Sequence, residues 1–239
     1  MKDTTTLPTN LLSGCELSAE QLQQVLSIAQ QQKARPQAYQ QLLAGKSIAT
    51  IFEKPSLRTR VSFAVGMQKL GGQAIYLDEQ GQGLGQRESI ADYAKNLSCW
   101  CDAIVARVLQ HETLQELAKH ASVPVINSLC DRYHPCQALA DCLTLQEQFG
   151  SLDGLHLVYC GDGNNVTRSL MLYAAMLGAK VTSVTPADRA IEQSWLDDIN
   201  AQAGGKAHNA THFDELGAVD VLYTDTWVSM GDDTPLQQV

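Results

Sequence analysis

The stretch SIATIFEKPSLRTRVSFAVGMQKLGG, residues 47–72, decides the fold. Ile48 to Phe52 run apolar without alternation, as a strand buried on both faces of a parallel sheet does. Ser56 then stands as an N-cap, Phe63, Met67 and Leu70 follow at helical spacing, and Gly71-Gly72 stop the pattern. Strand, tight loop and helix make one half of a βα repeat. The loop is also rich in positive charge: the Arg58 and Arg60 guanidiniums, first-turn N–H groups and the helix dipole can converge on one phosphate. Taken alone, the motif reads equally as a capped helix with solvated arginines. The rest of the chain has to decide.

Outward from this unit, strand patterns recur at 74–77, 103–106, 123–127, 155–160, 180–184 and 219–223, and helical patterns at 20–32, 88–99, 111–120, 136–149, 165–177 and 190–203. Alternation of this kind predicts an α/β protein with two doubly wound parallel-sheet domains. The amphipathic stretch from Pro135 to Phe149, with Ala138, Cys142, Leu145 and Phe149 on one face, reads as a helix bridging them. The expected division is 1–134 and 135–239.

Composition narrows the function classes. The chain has 239 residues, net charge −9 and a pI near 5.0, with no long Lys/Arg run, so an extended polyanion such as nucleic acid is not an expected partner. A small anion held locally is compatible with that balance. MKDTTTLPTN lacks the apolar core of a signal peptide and no apolar run nears the ~18 residues of a membrane span, so the cytosol is expected and no membrane partner. Seven scattered cysteines read as reduced thiols. Cys130, His134 and Cys136 are close in sequence, but no second pair completes a tetrahedral metal set.

In open parallel sheets ligands sit beyond the carboxyl ends of strands, and two further loops matter there. In Asp131-Arg132-Tyr133-His134-Pro135-Cys136-Gln137, Pro135 suits the first helical position. His134 and Gln137 then present an imidazole and a carboxamide at one helix end, where capping or packing is the plainer alternative. In Cys160-Gly161-Asp162-Gly163-Asn164-Asn165 a G-x-G follows a strand, with Asp188 downstream, which invites a dinucleotide reading. Position 166 is Val, so that fingerprint lacks its third glycine.

Taken together, S-x-R-T-R at 56–60, Arg107 at the end of the third strand, H-P-x-Q at 134–137, G-D-G-N-N at 161–165 and D-x-W-x-S-M-G at 225–231 resemble ornithine carbamoyltransferases. The first and third motifs are shared with aspartate carbamoyltransferases; S-M-G resembles the ornithine branch. The resemblance implies a carbamoyl phosphate-binding domain followed by an ornithine-binding domain, no metal or organic cofactor, and a homotrimer or a multiple of trimers. It places Ser56, Leu57 (through its backbone), Arg58 and Thr59 on the phosphate, Arg107 on phosphate and carbamoyl oxygen, and His134 and Gln137 on the carbamoyl group, with donors meeting its oxygen. Asn165, Asp225, Ser229 and Met230 would bind L-ornithine, Asp225 taking the α-ammonium. Attack of the neutral δ-amine on the carbamoyl carbon would give citrulline and phosphate.

The sequence departs from the resemblance in three places. Leu57 stands where Thr is common, and Gly83 where relatives carry a Gln that reaches a neighbouring subunit, leaving Gln82 or Gln86 as substitutes. The chain also stops at Val239 before the H-C-L-P segment of that family, so the second domain is expected to be incomplete and turnover of this chain poor. Two alternatives stay open: a carbamoyltransferase for another amine, differing at 225–231, and a non-catalytic binding homologue.

Overall fold

The computed structural model describes residues 6–78 and 83–225. Two compact units emerge, Met1–Cys136 and Gln137–Val239, each built on its own parallel sheet.

In the first unit β1 (Ser47–Phe52), β2 (Gln73–Asp78), β3 (Ala103–Arg107) and β4 (Val125–Leu129) lie in the order β2-β1-β3-β4. The crossovers run through α2 (Leu57–Lys69), α3 (Ile90–Trp100) and α4 (His111–His120), with α1 (Ala19–Ala34) leading in. β1 and β3 occupy the sheet centre, and nine of their eleven residues are buried, which explains their unbroken apolar reading. Ala49, Ile51, Ile104 and Ala106 pack on one side with Leu97, Leu114 and Leu117 from the helices, while Ile48 and Val105 meet Met67 of α2. Burial of this apolar surface supplies the main drive to fold, at roughly 25 cal/mol per Å². The amino-terminal segment is tied to β4 as well: Leu11 N–H donates to the Val125 carbonyl at 3.0 Å and Asn127 N–H to the Leu11 carbonyl at 2.8 Å.

α5 (Pro135–Phe149) contains the division between the units, which falls after Cys136. The second unit then orders β5 (His156–Cys160), β6 (Lys180–Val184), β7 (Ala207–Ala210) and β8 (Val221–Thr224) as β7-β6-β5-β8. α6 (Asn165–Met176) and α7 (Gln193–Ala203) provide crossovers. Nine of the ten residues of α6 from Val166 to Ala175, all but Arg168, are buried, so this helix is packed nearly all round. β7, Ala-His-Asn-Ala, went unread in the sequence because it carries neither alternation nor a β-branched run. Its place comes from pairing with β6 over Val181↔Ala207 to Val184↔Ala210.

Candidate active site

Register sets which loops meet. In the first unit Phe52 pairs with Arg107, and Arg107 with Leu129, so β1, β3 and β4 end side by side. The Ser56 loop, Arg107 and the His134 loop therefore leave from three adjacent strand ends. The pairing of β3 with β4 slips between Ala106 and Arg107, an irregularity of the kind that re-aims a side chain at a strand end.

Ser56 caps α2: its Oγ accepts from Thr59 N–H at 3.4 Å and donates to Thr59 Oγ1 at 2.9 Å. Leu57 opens the helix with its side chain 78% exposed, so what it offers inward is its backbone. The first-turn N–H groups of an α-helix have no intrahelical carbonyl, which makes this end a donor cluster. Arg107 is only 3% exposed, and its Nε has no hydrogen-bond partner among the described residues. Burial and, after it, the Arg58 charge lower the Arg107 pKa. Two guanidiniums thus act on each other at one loop cluster, an arrangement that costs energy until an anion joins it.

Arg60 does not join them. Its guanidinium lies 3.8 Å from the centroid of the Tyr76 ring, whose other neighbour is Phe52, so the expectation that both arginines of the opening motif converge on one anion is corrected. The aromatic face at the end of β2 competes for that cation and holds it. His134 precedes α5, and burial followed by the Arg107 charge lowers its pKa to about 4, making it a neutral imidazole at physiological pH. Its loop is pinned from the far side, where Asp131 Oδ1 accepts from His111 N–H at 2.7 Å. Cys136 Sγ donates to the Asn127 carbonyl at 3.3 Å, and Cys130 Sγ lies 3.4 Å from His111 Nδ1. Among the described residues no cluster of three or more His, Cys, Asp or Glu is arranged for a metal.

In the second unit Cys160 pairs with Thr224, so the Gly161 loop and Asp225 leave adjacent strand ends. Asn164 caps α6 through Oδ1, which accepts from Val166 N–H at 2.9 Å and Thr167 N–H at 3.2 Å, and Asn165 is the first helical residue. Gly163 is explained by packing: a Cβ there would collide with the Arg189 carbonyl and come 2.9 Å from Ile191 N. That accounts for the G-x-G without a pyrophosphate. Gln137 Nε2 donates to Asp141 Oδ1 at 2.9 Å, and Tyr223 Oη donates to Asp141 Oδ2 at 3.1 Å. Burial raises the Asp141 pKa, and the exposed Asp225 carboxylate adds to the rise there and at Tyr159 and Tyr223, whose rings stack 5.8 Å apart. The result is a negative corner beside the strand ends. Ser229 and Met230 lie outside the described residues, as does Gln82; Gly83 is described, with φ +70°.

Asp141 and Tyr223 were missed in the sequence. Asp141 stands four residues after Gln137, one helical turn on, and that spacing was the available signal. Nothing local marks Tyr223, because its partner lies 82 positions away.

Comparison with known proteins fits this arrangement. The family model described as "Aspartate/ornithine carbamoyltransferase, carbamoyl-P binding domain" matches residues 9–147, and "Aspartate/ornithine carbamoyltransferase, Asp/Orn binding domain" matches 153–239. The chain is 54% identical over 233 residues to an ornithine carbamoyltransferase of Moritella abyssi, covering 96% of this chain and 77% of that one. The solved structure of ornithine carbamoyltransferase from Pyrococcus furiosus superposes with a TM-score of 0.90 at 42% identity, over 96% of this chain and 76% of the other. An N-acetyl-L-ornithine transcarbamylase structure is also similar, with a TM-score of 0.82 at 30% identity over 94% of this chain and 77% of the other. From the two domain matches and the extent of these identities, the chain belongs to the aspartate/ornithine carbamoyltransferase family, on its ornithine carbamoyltransferase branch.

Proposed function

We propose that the protein transfers the carbamoyl group of carbamoyl phosphate to the δ-amine of L-ornithine, giving L-citrulline and phosphate. The observation that carries this is the buried Arg107 guanidinium under the influence of Arg58, at three adjacent strand ends of the first unit. Arg58, Thr59, Ser56 and the Leu57 N–H hold the phosphate, and Arg107 spans phosphate and carbamoyl oxygen. His134, neutral through burial, donates to that oxygen as negative charge develops on it. Gln137 is assigned differently from the sequence expectation. One of its two amide N–H groups goes to Asp141, which orients the carboxamide, and Oε1 is taken to accept from the carbamoyl amine.

In the second unit Asp225 takes the α-ammonium of ornithine, and Asn165, Ser229 and Met230 complete the acceptor site. The neutral δ-amine attacks the carbamoyl carbon, the oxygen–carbon bond to phosphate breaks with its electron pair, and the amine proton is released to solvent or phosphate. The residues supply charge stabilisation and orientation, which can amount to roughly 7 kcal/mol or more. The same reading carries a homotrimer in the cytosol, with carbamoyl phosphate binding assigned to 1–134 and ornithine binding to 135–239.

An assay of the carbamoylated (ureido) product formed from carbamoyl phosphate and ornithine, N-acetylornithine, putrescine or aspartate, run in parallel, tests the acceptor. Turnover with ornithine alone is expected; faster turnover with another amine overturns the assignment to ornithine. Failure of carbamoyl phosphate to bind in a calorimetric titration overturns the anion site itself.

A further inference from the structure

Glu53 is the first residue after β1, and its three described hydrogen bonds all go to the backbone of neighbouring loops. Its N–H donates to the Arg107 carbonyl at 2.9 Å. Oε2 accepts from Leu109 N–H at 2.7 Å, just past β3, and Oε1 accepts from Leu84 N–H at 2.8 Å, in the segment between β2 and α3. One residue therefore holds both sides of the Arg107 turn and fastens the Leu84 segment to it. The contacts are separated in sequence by 56 and 31 positions, so they are tertiary features and not a local cap. A carboxylate beside an anion site is also electrostatically costly, which a mere filler residue would not explain.

We propose that Glu53 is a positioning residue for the anion site: its carboxylate clamps the loops after β2 and β3 so that the Arg107 guanidinium is fixed where the phosphate arrives. This rests on the phosphate assignment of Arg107 made above. The carboxylate is suited to the task because it offers two acceptors and no donor, matching two backbone N–H groups. Glutamine, of the same shape, offers one acceptor and turns an N–H₂ toward the second N–H. Aspartate keeps the charge but is one methylene short of spanning both loops.

The two effects of Glu53 on phosphate have opposite signs. If the residue acts only through its charge, Glu53→Gln removes repulsion and tightens binding of inorganic phosphate. If it positions Arg107, Glu53→Gln weakens binding despite the lost repulsion, by about tenfold or more, because charge-assisted hydrogen bonds are lost at the loops that carry the site. Glu53→Asp should weaken it likewise. Titration of the whole chain with inorganic phosphate by calorimetry, together with amide hydrogen exchange, decides between them. Weaker phosphate binding in both variants, with faster exchange at Leu84 and Leu109 and unchanged exchange in β5 and β6, is the expected result. Equal or tighter binding in Glu53→Gln overturns the role of Glu53 alone. A parent protein that does not bind phosphate overturns the anion-site reading and the role of Glu53 with it. Unchanged protection at Leu84 and Leu109 in both variants shows that the clamp does not operate in solution.

Discussion

Arg107→Met should make the first unit more stable while removing its affinity for phosphate. Arg107 is 3% exposed, its Nε is unpartnered among the described residues, and both burial and the Arg58 charge disfavour its cationic form. Methionine has a similar reach and no charge to desolvate. Replacement of buried ionic groups by apolar ones of similar volume is neutral or stabilising by about 1–4 kcal/mol, and the lower part of that range is expected because Met fills the space less completely. Ligand linkage acts the other way: inorganic phosphate at a hundred times its dissociation constant should stabilise the parent by about 2.7 kcal/mol and the variant hardly at all. With two compact units a single unfolding midpoint is not a safe readout. Hydrogen exchange at β1 and β3 amides across a urea series, with and without phosphate, isolates the first unit. A phosphate-free Arg107→Met protein that is less stable than its parent by more than about 1 kcal/mol would refute the reasoning, since Arg107 would then be a structural support and not a strained ligand group.

Arg58→Lys keeps the charge and loses the planar fork, so the Michaelis constant for carbamoyl phosphate should rise at least tenfold in steady-state assays; an unchanged value removes Arg58 from the phosphate. Because the folded-state pKa of His134 is about 4 and thus below its unfolded value, the folded protein binds fewer protons at this group. Its contribution to stability is full above pH ~6.5 and is lost as pH falls toward 4, and a pH series of thermal midpoints should show a shallower fall in His134→Gln than in the parent. Asp141→Asn leaves Gln137 Nε2 and Tyr223 Oη to compete for one acceptor, so the Gln137 amide loses its fixed orientation. The ratio of carbamoyl to acetyl phosphate turnover should drop several-fold, and a preserved ratio excludes this part of the site. Gly163→Ala drives a methyl against the Arg189 carbonyl and Ile191 N, costing about 1–3 kcal/mol in urea unfolding of the second unit.

The elements were legible because these strands and helices are defined by short-range patterns. Ile48–Phe52 and Leu157–Tyr159 are buried on both faces and read as apolar runs, and α2 announces itself through Ser56 at one end and Gly71, at φ +87°, at the other. The candidate loops were legible for the same reason, since in a parallel sheet every strand end that leads into a helix is a place where ligands gather. The direction of each side chain was not. Arg58 and Arg60 are equivalent by composition, and only the Tyr76 ring on the neighbouring strand separates them. The orientation of the Gln137 carboxamide is set by Asp141, itself held by a tyrosine 82 positions away. Glu53 carries no local signal: the pairing of β1 with both β2 and β3 sets two distant backbone N–H groups, of Leu84 and Leu109, before its carboxylate. Residue types and local periodicity determined which groups were available to the site. Strand register and burial determined which of them come together at the strand ends, because hydrogen-bond geometry and desolvation act over a few ångströms in space whatever the distance along the chain.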